Sequence, residues 1–136
     1  GMAECLYEAE DSAGVSLAEC DQLIPHQANQ RIIESLGKLL HLLPEQVMSN
    51  VASYGNTSSA TVPIALCEAL ELGRIKPGAT VFVTAFGAGL TRAAAALRWG
   101  SRVDPVGESD MHLPDCNRSA LELIGPMLQY QKSFTT

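Results

Sequence analysis

The stretch LIPHQANQRIIESLGKLL, residues 23–40, decides the fold. Its apolar opening ends on the polar cluster His26-Gln27-Ala28-Asn29-Gln30-Arg31. Apolar positions then recur at Ala28, Ile32, Leu36, Leu39/Leu40 and Leu43. That spacing has a helical period. It predicts a helix over about 28–42 that stops before Pro44, preceded by a short strand over Gln22–Pro25. The unit delivers a histidine where a strand ends and a helix begins. In open α/β sheets that is the edge where ligands bind.

Working outward, residues 3–13 read as a short helix ending near Gly14, and VSLAECDQ as the turn leading into the strand. Downstream, a short strand is expected around Val47–Val51, followed by a polar loop. The run SSATVPIALCEALELG is the next helix, with Ser58 or Ser59 as its cap, Pro63 in the first turn and Gly73 at its close. TVFVTAF is a continuous apolar strand of the kind buried on both faces. GAGLT links it to a last strand, RAAAALRW. The order is α-β-α-β-α-β-loop-β, an α/β layer with helices packed on a mixed, mostly parallel sheet. Residues 101–116 read as loop. Asn117–Gln131 reads as one more helix, interrupted at Gly125-Pro126.

Composition bounds the function. At 136 residues this is one domain or part of one, and 46% hydrophobic residues suffice for a core. A net charge of −6 disfavours nonspecific binding to nucleic acid or an anionic membrane. No apolar run approaches the roughly 20 residues that span a bilayer. Cys5, Cys20, Cys67 and Cys116 have spacings that match no zinc or redox motif, so metal is not expected. With no leader apparent, the expected setting is a reducing cytoplasm.

Three strand ends carry the chemistry. His26 supplies an imidazole, which alone would more often be structural. Asn56, after the flexible Gly55, supplies a carboxamide just ahead of a helix. The loop FGAGLT supplies backbone amides. Donors with no acid beside them suit a developing oxyanion, either an enolate or a tetrahedral intermediate. Carbonyl chemistry of the acyl-transfer or Claisen type follows.

PHQANQRII, YGNTSSATVPIALCEAL, GRIKPG and FGAGLT, in that order, resemble the C-terminal half of the β-ketoacyl-acyl-carrier-protein synthase III family, of the thiolase-like superfamily. The resemblance runs from about Gly14 to Trp99. It implies a thiolase-like half-domain over residues 1–100 and a tail outside the family over 101–136. His26 and Asn56 match the family's catalytic pair, which binds the malonyl thioester carbonyl during decarboxylation. Gly87, Ala88 and Gly89 match the loop that serves the acyl-enzyme oxyanion, and Phe86 a position on the substrate tunnel. Gln27, Ala28, Asn29, Gln30 and Arg31 match the segment that meets acyl carrier protein or coenzyme A. No resident cofactor is implied, since the substrates arrive as thioesters of coenzyme A or phosphopantetheine.

Departures from the family bear on function. Its cysteine nucleophile lies on an N-terminal motif absent here, and none of the four cysteines has such a context, so the chain alone is expected to be inactive. Ala88 stands where glycine is usual, and Arg92 where an aromatic is common. The half-domain's central strand is expected to be missing, leaving two strand pairs around a vacancy. The missing N-terminal half, a second copy of the chain or the tail would fill it. The family's function is decarboxylative Claisen condensation in fatty-acid biosynthesis. The alternative is a noncatalytic module that binds acyl carrier protein or coenzyme A, or a subunit completed by a partner.

Overall fold

The computed structural model describes residues 1–89, 91–104, 110–111, 115, 117–119 and 121–125. They fall into two units, Gly1–Val106 and Gly107–Thr136. In the first, α1 (Met2–Ala13) leads through a 3-10 turn to β1 (Gln22–Pro25) and α2 (Gln30–Leu39). The short α3 (Val51–Tyr54) and α4 (Thr61–Glu71) follow, then β2 (Thr80–Phe86) and β3 (Arg92–Arg98).

The sheet is mixed, in the order β1-β2-β3. β1 pairs with β2 in parallel, Gln22 to Pro25 facing Val81 to Thr84, and β2 pairs antiparallel with β3. The expected vacancy between two strand pairs is therefore not present, because β1 hydrogen-bonds directly to β2. The strand expected over Val47–Val51 is not present either. Leu23 makes one parallel bridge to Val47, Met48 N–H donates to the Leu23 carbonyl, and the chain then turns into α3. Pro25 explains the early end of that pairing. Its side of β1 is the one that faces Met48, and proline has no N–H to continue a ladder there.

Adjacent strand residues point to opposite faces, and both faces are buried. Leu23 and Phe82 join Met2, Leu6, Leu17, Ile33 and Leu36 under α1 and α2. Ile24 and Val81 join Met48, Ala65, Ala69 and Ile75 under α4. The result is three layers, with the sheet in the middle. The buried face of α2 is Ile33, Leu36 and Gly37, about one position round from the expected stripe, and Leu39 and Leu43 are exposed. The cause is close approach: a Cβ on Gly37 would meet the Val47 side chain at 3.0 Å. A larger residue there would force the Val47 side chain to shift.

Helix ends follow local chemistry. Asn29 caps α2, its side-chain oxygen accepting from Ile32 N–H at 3.0 Å. Neither Ser58 nor Ser59 caps α4; a 3-10 turn over Ser58–Ala60 runs straight into it. Gly73, at φ 64°, closes α4 as expected, with paired bonds from Gly73 and Arg74 N–H to the Leu70 and Ala69 carbonyls. In the second unit, the described part of the expected helix covers 121–125, and Ser119 and Glu122 cap each other. Residues 126–131 of that expected helix, with His112 and Cys116, lie outside the described residues.

Phe82 is fully buried at the centre of the middle strand. Phe82→Ala is expected to cost about 3–5 kcal/mol, whereas Leu97→Ala on the half-open β3 should cost under about 1 kcal/mol. Denaturant unfolding of both variants measures the difference.

Candidate active site

His26 follows β1 directly. Its N–H donates to the Thr84 carbonyl at 2.7 Å, so the strand pairing itself sets the position of the imidazole. The ring is 8% exposed. Nδ1 lies 2.5 Å from the Thr61 hydroxyl, and the Phe86 ring stands edge-on, with centroids 5.4 Å apart at 88°.

Asn56 comes from the loop between α3 and α4. Gly55 adopts φ 66° and ψ −161°, a region open essentially to glycine alone. It turns the chain so that the Asn56 side chain folds back on the backbone. The Asn56 carbonyl oxygen accepts from Ser58 N–H at 3.0 Å, which leaves the amide N–H₂ as the free end. Ser58 itself has a φ of 57°, a strained value for a residue with a side chain. Its carbonyl accepts from the Thr61 hydroxyl at 3.0 Å. One strained residue thus links Asn56 to the group that touches His26.

The loop after β2 contributes differently from expectation. Gly87 N–H is taken up by the Thr91 carbonyl at 2.8 Å, closing the turn to β3, so it is not an oxyanion donor here. The N–H groups of Ala88 and Gly89 have no partner among the described residues. His26, Asn56, Thr61, Phe86, Gly87, Ala88 and Gly89 line one cavity of about 740 Å³, with Ala28 at its edge. An imidazole, a carboxamide and the loop after β2 therefore border one space.

The segment Gln27–Arg31 does not act together. Gln27 is 1% exposed and turned inward. Its Nε2 donates to the Pro25 and Met48 carbonyls at 2.8 and 3.2 Å, and its Oε1 accepts from Asn50 N–H at 2.9 Å. Asn50 in turn donates to Glu68 of α4. Gln27 brackets β1 to the following loop, Asn50 carries the network on to α4, and Gln27 presents nothing to a partner surface. Asn29 is the α2 cap, and Gln30 bonds Glu34 and Ser49. Arg31 is exposed, as are Asn29 and Gln30, and makes no ion pair among the described residues. Arg92, in place of the common aromatic, reaches across to Glu4 and Glu8 of α1.

No described residues form a cluster able to hold a metal ion, and no described helix is long and apolar enough to cross a membrane. Cys5 and Cys20 are buried and Cys67 is exposed. Burial pushes the Cys20 thiol up to about 11, far from a reactive thiolate. Sequence reasoning missed Thr61; its signal was a hydroxyl five residues after Asn56 in a loop already singled out.

This sheet, with its cavity at the carboxyl ends of β1 and β2, is a thiolase-like half-domain. Residues 11–99 match the family model described as 3-oxoacyl-[acyl-carrier-protein] synthase III C terminal, and the chain belongs to that family. β-Ketoacyl-[acyl-carrier-protein] synthase III 2 of Vibrio cholerae is 48% identical over 132 residues, covering 97% of this chain and 36% of that protein. That match extends into the tail beyond Trp99, which is therefore shared with this relative. The chloroplastic synthase III of Arabidopsis thaliana is 49% identical over 98 residues, 72% of this chain and 24% of that protein. The crystal structure of synthase III from Thermus thermophilus superposes with a TM-score of 0.71 at 46% identity, over 74% of this chain and 32% of that one. OleA of Xanthomonas campestris, solved with lauric acid and lauroyl-CoA, gives 0.66 at 30% identity, over 72% and 29%. The chain spans about a third of the length of these relatives.

Two outcomes follow from the side-chain placements. Gln27→Ala strands the Asn50 N–H in a buried position and is expected to cost about 1–3 kcal/mol, while Arg31→Ala stays within about 0.5 kcal/mol; thermal unfolding separates them. Among Cys5, Cys20 and Cys67, a thiol-specific reagent at neutral pH should label Cys67 first, with Cys20 protected until the protein unfolds, as peptide mass mapping would read.

Proposed function

We propose that this chain supplies the enolate-stabilising part of a 3-oxoacyl-acyl-carrier-protein synthase III active site. The reaction is the decarboxylative Claisen condensation of an acyl thioester with malonyl-acyl carrier protein, in fatty-acid biosynthesis. The observation that carries the reading is that His26, Asn56, Ala88 and Gly89 line one cavity.

The chemistry runs through the thioester carbonyl. As the bond to the malonyl carboxylate breaks, carbon dioxide leaves and the electron pair moves onto the thioester oxygen as an enolate. Asn56, with its oxygen held by Ser58, meets that charge with N–H, and His26 faces the same space. The enolate carbon then attacks an acyl thioester held on a cysteine, whose thiolate departs. That cysteine comes from outside this chain, from a preceding half or a partner subunit. Loop amides at Ala88 and Gly89 receive the oxyanion of this second step.

Partners follow from the same reading. Arg31 is exposed beside a groove that also includes Ile32, Ser35 and Leu39. An acidic carrier-protein surface, or the phosphate of phosphopantetheine or coenzyme A, is suited to it. The remaining partner is the missing half or a second copy of the chain, which makes the active form an oligomer or a longer polypeptide.

In the enzyme completed with its cysteine-bearing half, His26→Ala or Asn56→Ala is expected to lower malonyl decarboxylation by roughly 100- to 1000-fold. Unchanged decarboxylation in both variants would overturn the assignment. Micromolar binding of acyl carrier protein by the completed enzyme with no decarboxylation would mark it as a binding module instead.

A further inference from the structure

β3 is an outer strand of the sheet, paired on one side only, with β2. Trp99 N–H donates to the Ala79 carbonyl and Gly87 N–H to the Thr91 carbonyl, so the odd-numbered residues of β3 bond to β2. In an antiparallel ladder the alternate residues turn their polar groups the other way. The N–H and C=O groups of Arg92, Ala94, Ala96 and Arg98 therefore point out of the sheet, with no backbone partner among the described residues. No proline interrupts them, and a cavity of about 450 Å³ opens beside residues 93–96, with Cys5, Glu8 and Ala9 of α1 on its far wall. Such an edge is complementary to another extended backbone.

The charges at its two ends select which backbone. At the Arg92 end, Glu4 is shared between Arg92 and the Gly1 ammonium, while Glu8 lies 3.9 Å from Arg92 with most of its side chain in solvent. At the other end, Arg98 makes no ion pair among the described residues. We propose that this edge pairs with the same edge of a second copy of the chain, antiparallel about Ala95, extending three strands to six. Ala94 then lies opposite Ala96 of the second copy, and Arg98 opposite its Arg92.

Edge cations ordinarily discourage strand pairing, but here the arriving Arg98 meets the loosely held Glu8. The two-fold axis makes that contact twice per dimer. Both groups stand on the same face, because Ala94 and Ala96 pack toward the α1 side and Arg92 and Arg98 continue their alternation. On the opposite face Leu97, 39% exposed, is brought against Ala93 of the second copy. A parallel pairing would set Arg98 beside Arg98 and leave Glu8 without the new cation. The pairing uses neither His26 nor Asn56, so it stands or falls apart from the decarboxylation reading.

Sedimentation velocity of the full 136-residue chain over a range of concentrations reads the association. A monomer–dimer equilibrium is expected in the unsubstituted chain. Glu8→Arg and Arg98→Glu, taken singly, each replace two attractions with two repulsions and should weaken the dimer by roughly tenfold or more. The double variant Glu8→Arg/Arg98→Glu restores the pairs in reverse and should recover most of that loss. Ala94→Pro removes an outward N–H while sparing the ladder to β2, and should leave a monomer. A chain that is monomeric throughout would overturn the proposal, as would a dimer indifferent to the single reversals or to a folded Ala94→Pro variant. If the proline variant does not fold, the reversals on exposed side chains still decide.

Discussion

The parallel pairing of β1 with β2 is the constraint on which the rest depends. Its last bond, from His26 N–H to the Thr84 carbonyl, places the imidazole at the level where β2 runs out into its loop. Parallel strands finish at the same edge of a sheet, so two segments far apart in sequence end side by side. The register is strongly specified. Leu23 and Ile24 bury on opposite faces, against Phe82 and Val81 respectively, and a slip of one residue would send each into the wrong layer. The same slip would turn His26 away from Thr61.

A second tier holds the loops that the strands cannot reach. The backbone between Met48 and Asn50 is buried and belongs to no ladder, so its polar groups need side-chain partners. Gln27 provides them, accepting from one backbone group and donating to two others. Asn50 extends the chain of bonds to Glu68 on α4. This polar seam fixes the distance between the β1 end and α4, and hence between His26 and Thr61. A fully satisfied network of this kind specifies one arrangement, because any partial version strands a buried group.

Much of this was legible in the sequence, for identifiable reasons. The apolar run of β2, the Gly14 and Gly73 helix ends and the strand ending at Pro25 each reflect local chemistry that composition reveals. His26, Asn56 and the loop after Phe86 stood out because polar groups interrupt apolar runs where an α/β sheet puts its ligand edge. The misses share a cause. Val47–Val51 has strand-forming residues, yet Pro25 across from it removes the donor that would continue the pairing, and that fact lies on another segment. Gln27 looks like a surface residue in sequence and becomes a core bracket only because three buried backbone groups surround it. The orientation of the α2 face depends on Gly37 meeting Val47. Each is a tertiary relation between segments, invisible to a local window.

The site also shows how a fold can make two side chains unequal. His26 is buried with its Nδ1 against a hydroxyl behind it; Asn56 is exposed and its orientation is set by the backbone beside it. Both settings trace to Ser58, whose left-handed conformation offers its N–H to one side chain and its carbonyl, through Thr61, to the other. Straightening that residue would relieve its strain and release both groups together. The strain is thus stored where it does the most to preorganise the cavity. Preorganised donors act most strongly once water is excluded, and here Asn56, Ala88 and Gly89 are exposed. The cavity-lining side chains are held within this chain, whereas the low-dielectric enclosure depends on whatever covers the cavity.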